Sequence, residues 1–375
     1  MRTALRSVWL VIAAAGIVQT ANALQTDLLG VRAGLEAFPA WALGVIMACY
    51  YIGYSAAPLA SHSILARFGH IAAIVVCTTV AGIVIFLHGI EVTVVAWSIL
   101  RIVSGFALAI VFIGYESWIN ERADNRVRGR VFSLYLVSQM VGMTLAQALL
   151  NVSDPKALGL FQLSAVLFVA GSIPIAFARG KAPAKAPPLP FSIFALMRLS
   201  PMGAAATVLS GVSWSIVFTF GPAYAQRAGF SISEIGLYMG VAMVGGALMQ
   251  FPLGWVSDAV GRRATILFMS LGGMAASLLA LYTHALPHIY QYLPFALIGA
   301  LILPLYGLGA AHTNDHVESR HRVAAAAGLV LLFGLGSIFG PLIVGSAITA
   351  LGAGGFFVVL ACVMGLSVAA CALPR

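Results

Sequence analysis

The sequence predicts an all-α integral membrane protein with twelve transmembrane helices in two pseudo-symmetric six-helix halves. Three observations predict it. The 375 residues are 61% hydrophobic and only 8% charged, with a mean hydropathy of +1.01; soluble domains are about half apolar and a quarter charged. Apolar runs of about 20 residues, the length that crosses a bilayer core, recur from end to end. The chain also repeats. A shift of 192 positions carries Gly44, Gly53 and Gly69 onto Gly236, Gly245 and Gly261, and Arg128, Arg130, Val131 and Gly142 onto Arg320, Arg322, Val323 and Gly334. One structural unit therefore occurs twice.

The spans are read in order. Helix one (8–30) carries Gln19, Asn22 and Thr26 at spacings of three and four, hence on one face. A polar stripe on a membrane helix faces a wet cavity or another helix, so these are candidate cavity residues. Asp27 lies near the outer end, either as a protonatable gate group or as an interfacial carboxylate beside Arg32. Helix two (40–62) places Tyr50 and Tyr54 one turn apart, and helix three covers 71–88.

Helix four (93–118) holds Arg101 about 12 Å from the outer surface of a core about 30 Å thick. A charge that deep costs roughly 2.5–3.5 kcal/mol on insertion scales and must face the bundle interior with a partner. Asp27 and Glu91 are the candidates; Glu116, on the same helix, is about 22 Å away. One reading is an anion or proton-coupling site. The other is a structural arginine bonding helix-end carbonyls.

Helices five (129–151), six (158–178), seven (198–222), eight (233–256), nine (264–283), ten (290–311), eleven (323–345) and twelve (352–373) complete the set. Helix seven offers Ser213, Trp214 and Thr219 opposite the helix-one stripe; Gln139 and Gln250 add hydrogen-bonding groups. The basic, Pro-rich stretch 179–197 cannot be helical throughout. It reads as the linker between a first half, 1–178, and a second, 198–375.

Charge placement gives the orientation. Arg32, Lys156 and Arg227 fall on one side and Arg101 inside a span; all other Lys and Arg fall in the termini and alternate loops. By the positive-inside rule both termini are cytoplasmic. The net charge of +9 thus reports topology, not nucleic-acid binding. The four cysteines lie in apolar runs without metal or disulfide spacing. His312, His316 and His321 read as solvated loop residues, not metal ligands. No Walker motif or catalytic constellation is present, so the chain is read as a non-enzyme without cofactor.

The run Gly254-Trp-Val-Ser-Asp258-Ala-Val-Gly261-Arg262-Arg263 resembles the loop between the second and third helices of a major facilitator superfamily half. Its first copy, His62 to His70, keeps Arg67 and Gly69 but has Ala66 at the acidic position. Arg101-Ile-Val-Ser-Gly105 is similar to an R-x-x-x-G element on helix four of that family. Glu121 preceding Arg128-Gly129 is similar to the helix-four end of sugar porters. Leu35-Glu36-Ala-Phe, Tyr50-Tyr51-Ile-Gly53, the run Glu116-Ser-Trp-Ile-Asn120, and Ala311-His312-Thr-Asn314-Asp315 together look like the YcaD-like branch. Gly334 to Gly345 resembles an antiporter element, here on helix eleven.

The resemblance implies a secondary active transporter in the bacterial inner membrane, moving a small solute by alternating access. Proton coupling is expected, with efflux favoured over uptake, in a monomer whose partners are the solute and the bilayer. A facilitated-diffusion uniporter, or a receptor or enzyme on the same helices, is the alternative. Glu116, Glu121, Arg128 and Arg130 in the first half, and Asp258, Arg262, Arg263, Asp315, Arg320 and Arg322 in the second, are expected to form a cytoplasmic gate. The plainer reading of both clusters is a solvated loop.

Overall fold

The computed structural model describes residues 2–122, 128–177, 193–317 and 322–373. Most of the segment read as a linker, and Arg320, lie outside them. Among the described residues every regular element is an α-helix, and there are fourteen. In order they are α1 (Arg2–Leu35), α2 (Ala40–Phe68), α3 (His70–Ile90), α4 (Val94–Arg122), α5 (Arg128–Leu149), α6 (Gly159–Ala176) and α7 (Ile193–Leu199). They continue with α8 (Pro201–Arg227), α9 (Ile232–Val260), α10 (Arg262–Thr283), α11 (Ile289–Ile302), α12 (Leu305–His316), α13 (Arg322–Leu351) and α14 (Gly355–Ala370).

Ten stretches of the described residues are long and apolar enough to cross a membrane, with α11 and α12 together forming one of them, 289–316. Gly355–Ala370 is apolar but shorter. Helix α1 is long but carries Gln19, Thr20, Asn22, Gln25, Thr26 and Asp27, which lower its apolar character. The tenth span departs from the continuous helix expected at 290–311. It breaks at Leu303-Pro304, because proline lacks the N–H that would continue the ladder. The short α7 begins inside the segment read as a linker that is not helical throughout and ends two residues beyond it.

The chain divides into two compact units. Unit 1 is Met1–Glu36 with Cys49–Ala186; unit 2 is Ala37–Ala48 with Pro187–Arg375. In unit 1, α1 packs on α5 and α6, and α3 packs on α4 and α6. The Ser164 hydroxyl ties α6 to α1 by donating to the Ala21 carbonyl at 3.0 Å. Helices α2 and α4 cross with almost no side chain between them. A Cβ on Gly53 would run into the Ile102 carbonyl, and one on Gly105 into the Tyr50 carbonyl. Small residues allow such approach where the bilayer gives no hydrophobic drive for helices to associate.

Unit 2 repeats this crossing. Between α9 and α11, Gly245 is blocked by the Ala296 carbonyl and Gly299 by the Ala242 carbonyl. Gly53 and Gly245, like Tyr50 and Ala242, are 192 residues apart, so the repeat seen in sequence is also a repeat of packing. The α2–α3 and α9–α10 junctions match too. Gly69 (φ 78°, ψ 162°) and Gly261 (φ 92°, ψ 147°) share a conformation that residues with a Cβ scarcely reach. Within unit 2, α8 is the central helix, packed by α13, α12, α14 and α9. Helix α9 starts in a capping box between Ser231 and Glu234.

Candidate functional site

In unit 1 the α2–α4 crossing brings Tyr50 beside Arg101. Arg101 has none of its surface exposed, and its guanidinium carbon lies 4.3 Å from the centroid of the Tyr50 ring. A cation over an aromatic face, once desolvated, gains about 2 kcal/mol or more. That is comparable to the roughly 2.5–3.5 kcal/mol an arginine costs at mid-span. Tyr50 is itself held by Tyr51, edge-on at 5.3 Å, and by Tyr54 at 5.9 Å. From α1, the polar side chain of Asn22 lies within reach of Tyr50. Asn22, Tyr50 and Arg101 thus bring polar groups from three helices to one place.

Two residues join this neighbourhood that sequence reading passed over. His88 on α3 is wholly buried within electrostatic reach of Arg101. Its Nδ1 donates to the Val84 carbonyl at 2.7 Å, which leaves Nε2 as an acceptor with no partner among the described residues. Gln25, one turn beyond Asn22, is also wholly buried, and neither its amide oxygen nor its nitrogen has a partner there. A mid-helix glutamine and a histidine in an apolar run give no sequence signal that separates them from packed core. Only their burial without partners does.

Asp27 belongs to a different face. It is buried, and the Gln147 amide N–H on α5 donates to its carboxylate at 2.6 Å. Five residues beyond Asn22, it points about 140° away around the helix. Its bonded partner is therefore Gln147, not Arg32 or Arg101 as expected. Arg32 is taken by Glu36 at 2.9 Å and by the Pro155 carbonyl at 3.2 Å, not by Asp27. Glu91, the other expected partner of Arg101, is exposed at the end of α3. What the Arg101 guanidinium meets is the face of an aromatic ring.

The remaining candidates divide. Gln19 and Thr26 are half-buried, and the Thr26 hydroxyl turns back to the Asn22 carbonyl at 3.0 Å. Gln139 is half-buried on α5, while Gln250 is exposed on α9. In unit 2, Trp214 is half-buried, tilted against Phe218 at 4.4 Å and edge-on to Phe333 at 6.3 Å; Tyr306 lies 5.0 Å from Phe333.

The expected gate residues of the second half form a compact device. Arg262 binds Asp258 at 2.7 Å, Ser257 at 2.8 Å and Asp315 at 3.4 Å. It therefore joins the end of α9, the start of α10 and the end of α12. Arg263 is exposed. In the first half the acidic position is Ala66, and Arg67 lies over Phe68 at 5.6 Å instead. Glu116 is exposed and accepts from the Tyr135 hydroxyl at 3.4 Å. The side chains of Glu121, Arg128, Arg130 and Arg322 lie outside the described residues, as does the whole of Arg320.

Comparison with known proteins agrees with this architecture. Residues 203–375 match the family model described as Major Facilitator Superfamily. The chain is 24% identical over 347 residues to the MFS-type transporter YcaD of Escherichia fergusonii, covering 90% of this chain and 87% of that one. It is 25% identical over 352 residues to YcaD of Escherichia coli strain SE11, covering 91% and 88%. Among solved structures, the nucleoside transporter NupG superposes with a TM-score of 0.80 at 14% identity, over 97% of this chain and 96% of that one. The D-xylose-proton symporter superposes with a TM-score of 0.76 at 16% identity, over 97% and 96%.

Proposed function

We propose that this chain is a multi-pass membrane transporter of the major facilitator superfamily, not an enzyme, and that it moves a small solute by secondary active transport through alternating access; the match over residues 203–375 and the resemblance to YcaD support the reading. The observation that carries the proposal is Arg101, wholly buried in a span and stacked on Tyr50. Buried ionisable groups in membrane spans mark substrate or ion pathways. Near it stand two groups with unused hydrogen-bonding capacity, Asn22 Oδ1 and His88 Nε2. Such groups are costly in an apolar core and useful to a polar solute. Arg101 supplies fixed positive charge, and Tyr50 and Asn22 set its orientation.

Proton coupling is the second part of the reading. Asp27, buried on one amide donor, is the group in the described part of unit 1 best placed to exchange a proton. Export is favoured over import. The charge bias of the loops supports an orientation with both termini cytoplasmic, and the reading places the chain in the inner membrane as a monomer. Labelling Ala184→Cys in intact cells tests the orientation, and reaction exclusively from outside overturns it. Counterflow of labelled solutes in proteoliposomes tests transport itself. A parent protein that exchanges none of a broad panel leaves the receptor reading standing.

A further inference from the structure

We infer that unit 2 carries a ring-binding platform formed by Trp214, Phe333 and Tyr306, which takes the flat face of a cyclic solute bearing a hydrogen-bond acceptor at its edge. The inference rests on the transport reading and adds to it a class of solute.

Trp214 stands midway along the 27 residues of α8. Tryptophans of membrane helices gather at the two interfaces, where the indole N–H finds water or headgroups. This one is at mid-span, and among the described residues its N–H has no hydrogen-bond partner. Nor does it face outward with a general exposed stripe. From Met202 to Ala225, α8 is buried except at Ala205, Val208, Leu209 and Trp214. The indole is therefore a single half-open ring on an otherwise enclosed helix.

Its plane is fixed by neighbours. Phe218 lies against it at 4.4 Å with 40° between planes, and Phe333 meets it at 6.3 Å nearly edge-on. Tyr306 then meets Phe333 at 5.0 Å and 70°. Tyr306 sits in the first turn of α12, just after the break at Leu303-Pro304. Three half-buried rings on α8, α12 and α13 and an unused N–H donor suit a planar ring with an acceptor atom. They do not suit an acyclic polar solute, which would leave the ring faces unused.

The test uses the purified full chain and four probes, read by thermal shift and intrinsic fluorescence titration. Nicotinamide and adenine are planar and carry acceptors. Cyclohexanecarboxamide is a saturated counterpart, and tetramethylammonium tests a cation over the same rings. Saturable binding is expected for at least one planar probe and not for the other two. Trp214→Leu should weaken planar-probe binding by about tenfold or more, and Trp214→Phe by less, since it keeps a ring and loses only the donor. Trp214→Phe also guards against misfolding: it keeps a ring against Phe218 and Phe333, so it should hold the parent melting temperature while planar-probe binding weakens.

Equal binding of the saturated probe, preference for tetramethylammonium, unchanged affinity in Trp214→Leu, or no planar binding at all would each overturn the platform. Counterflow separates this from the transport reading. A ring-free solute carried equally well by the parent and Trp214→Leu leaves a transporter without a platform. Saturable planar binding with no solute exchanged by the parent leaves a platform without transport.

Discussion

The guanidinium of Arg101 lies over the ring of Tyr50, 4.3 Å from its centroid, with both side chains buried. The ring face offsets part of the cost of burying the charge, and the planar fork of an arginine matches an anionic group in a way that a lysine does not. Arg101→Lys keeps the charge but loses the fork; Arg101→Gln loses both. If the fork binds solute, both variants fold and both lose counterflow. Tyr50→Phe keeps the ring and should retain most of the activity, while Tyr50→Leu should lower both activity and melting temperature. Normal transport by whatever fraction of Arg101→Gln folds would assign Arg101 a structural role.

Asp27 and Gln147 form the second pair. Asp27→Asn preserves size and hydrogen-bonding capacity but cannot exchange a proton. The expected outcome is a separation of activities: solute-driven counterflow survives, and accumulation driven by an imposed pH gradient is lost. Measuring both in the same proteoliposomes checks it. Gradient-driven accumulation that persists in Asp27→Asn removes the residue from the coupling scheme.

Much of the fold was legible in the sequence, because bilayer thickness sets span length. The duplication was legible as repeated glycines, since only glycine tolerates the carbonyl contacts at Gly53 and Gly245. The break at Pro304 was missed because its flanks are uniformly apolar, and apolar runs look alike whether continuous or interrupted. The candidate site was half legible. Arg101, Asn22 and Tyr50 stand out by type, and they do assemble. The partner of Asp27 did not stand out, because a glutamine 120 residues away is chosen by how α1 rotates against α5. His88 and Gln25 are ordinary in sequence and conspicuous once their unpartnered atoms are seen.

The glycine crossings yield a stability test. Gly53→Ala and Gly105→Ala each place a methyl against a backbone carbonyl, which cannot swing aside as a side chain can. Each should cost about 1–3 kcal/mol, the usual range for overpacking. The double variant should cost less than the sum, because one forced separation relieves both clashes. The opposite change is available at Ala37, the one non-glycine with positive φ among the described residues, at 57°. Its counterpart 192 residues on is Gly229, at φ 86°. Ala37→Gly should therefore raise the melting temperature slightly, by relief of about 1 kcal/mol of left-handed strain less the entropy glycine adds to the unfolded chain. A lower melting temperature would contradict the strained backbone at that position.

Arg262 gives the last prediction. Its three partners lie on two helices, α9 and α12, but Asp258 and Asp315 are largely exposed, with side-chain exposures of 66% and 55%. Exposed ion pairs contribute about 0–1 kcal/mol each and weaken with salt. Asp258→Asn should thus leave the melting temperature almost unchanged. A bias of even about 1 kcal/mol is nonetheless roughly fivefold in a two-state population, enough to alter which state predominates if the two are near balance. The expected result is increased reactivity of cytoplasmic-side cysteine probes in Asp258→Asn, a larger increase in Arg262→Ala, and a parent that approaches the variants as salt is raised. Asp315→Asn should act in the same direction and more weakly, since its contact is longer, at 3.4 Å against 2.7 Å. Unchanged probe reactivity in Arg262→Ala, with the fold intact, would reduce the cluster to a solvated helix-end brace with no part in gating.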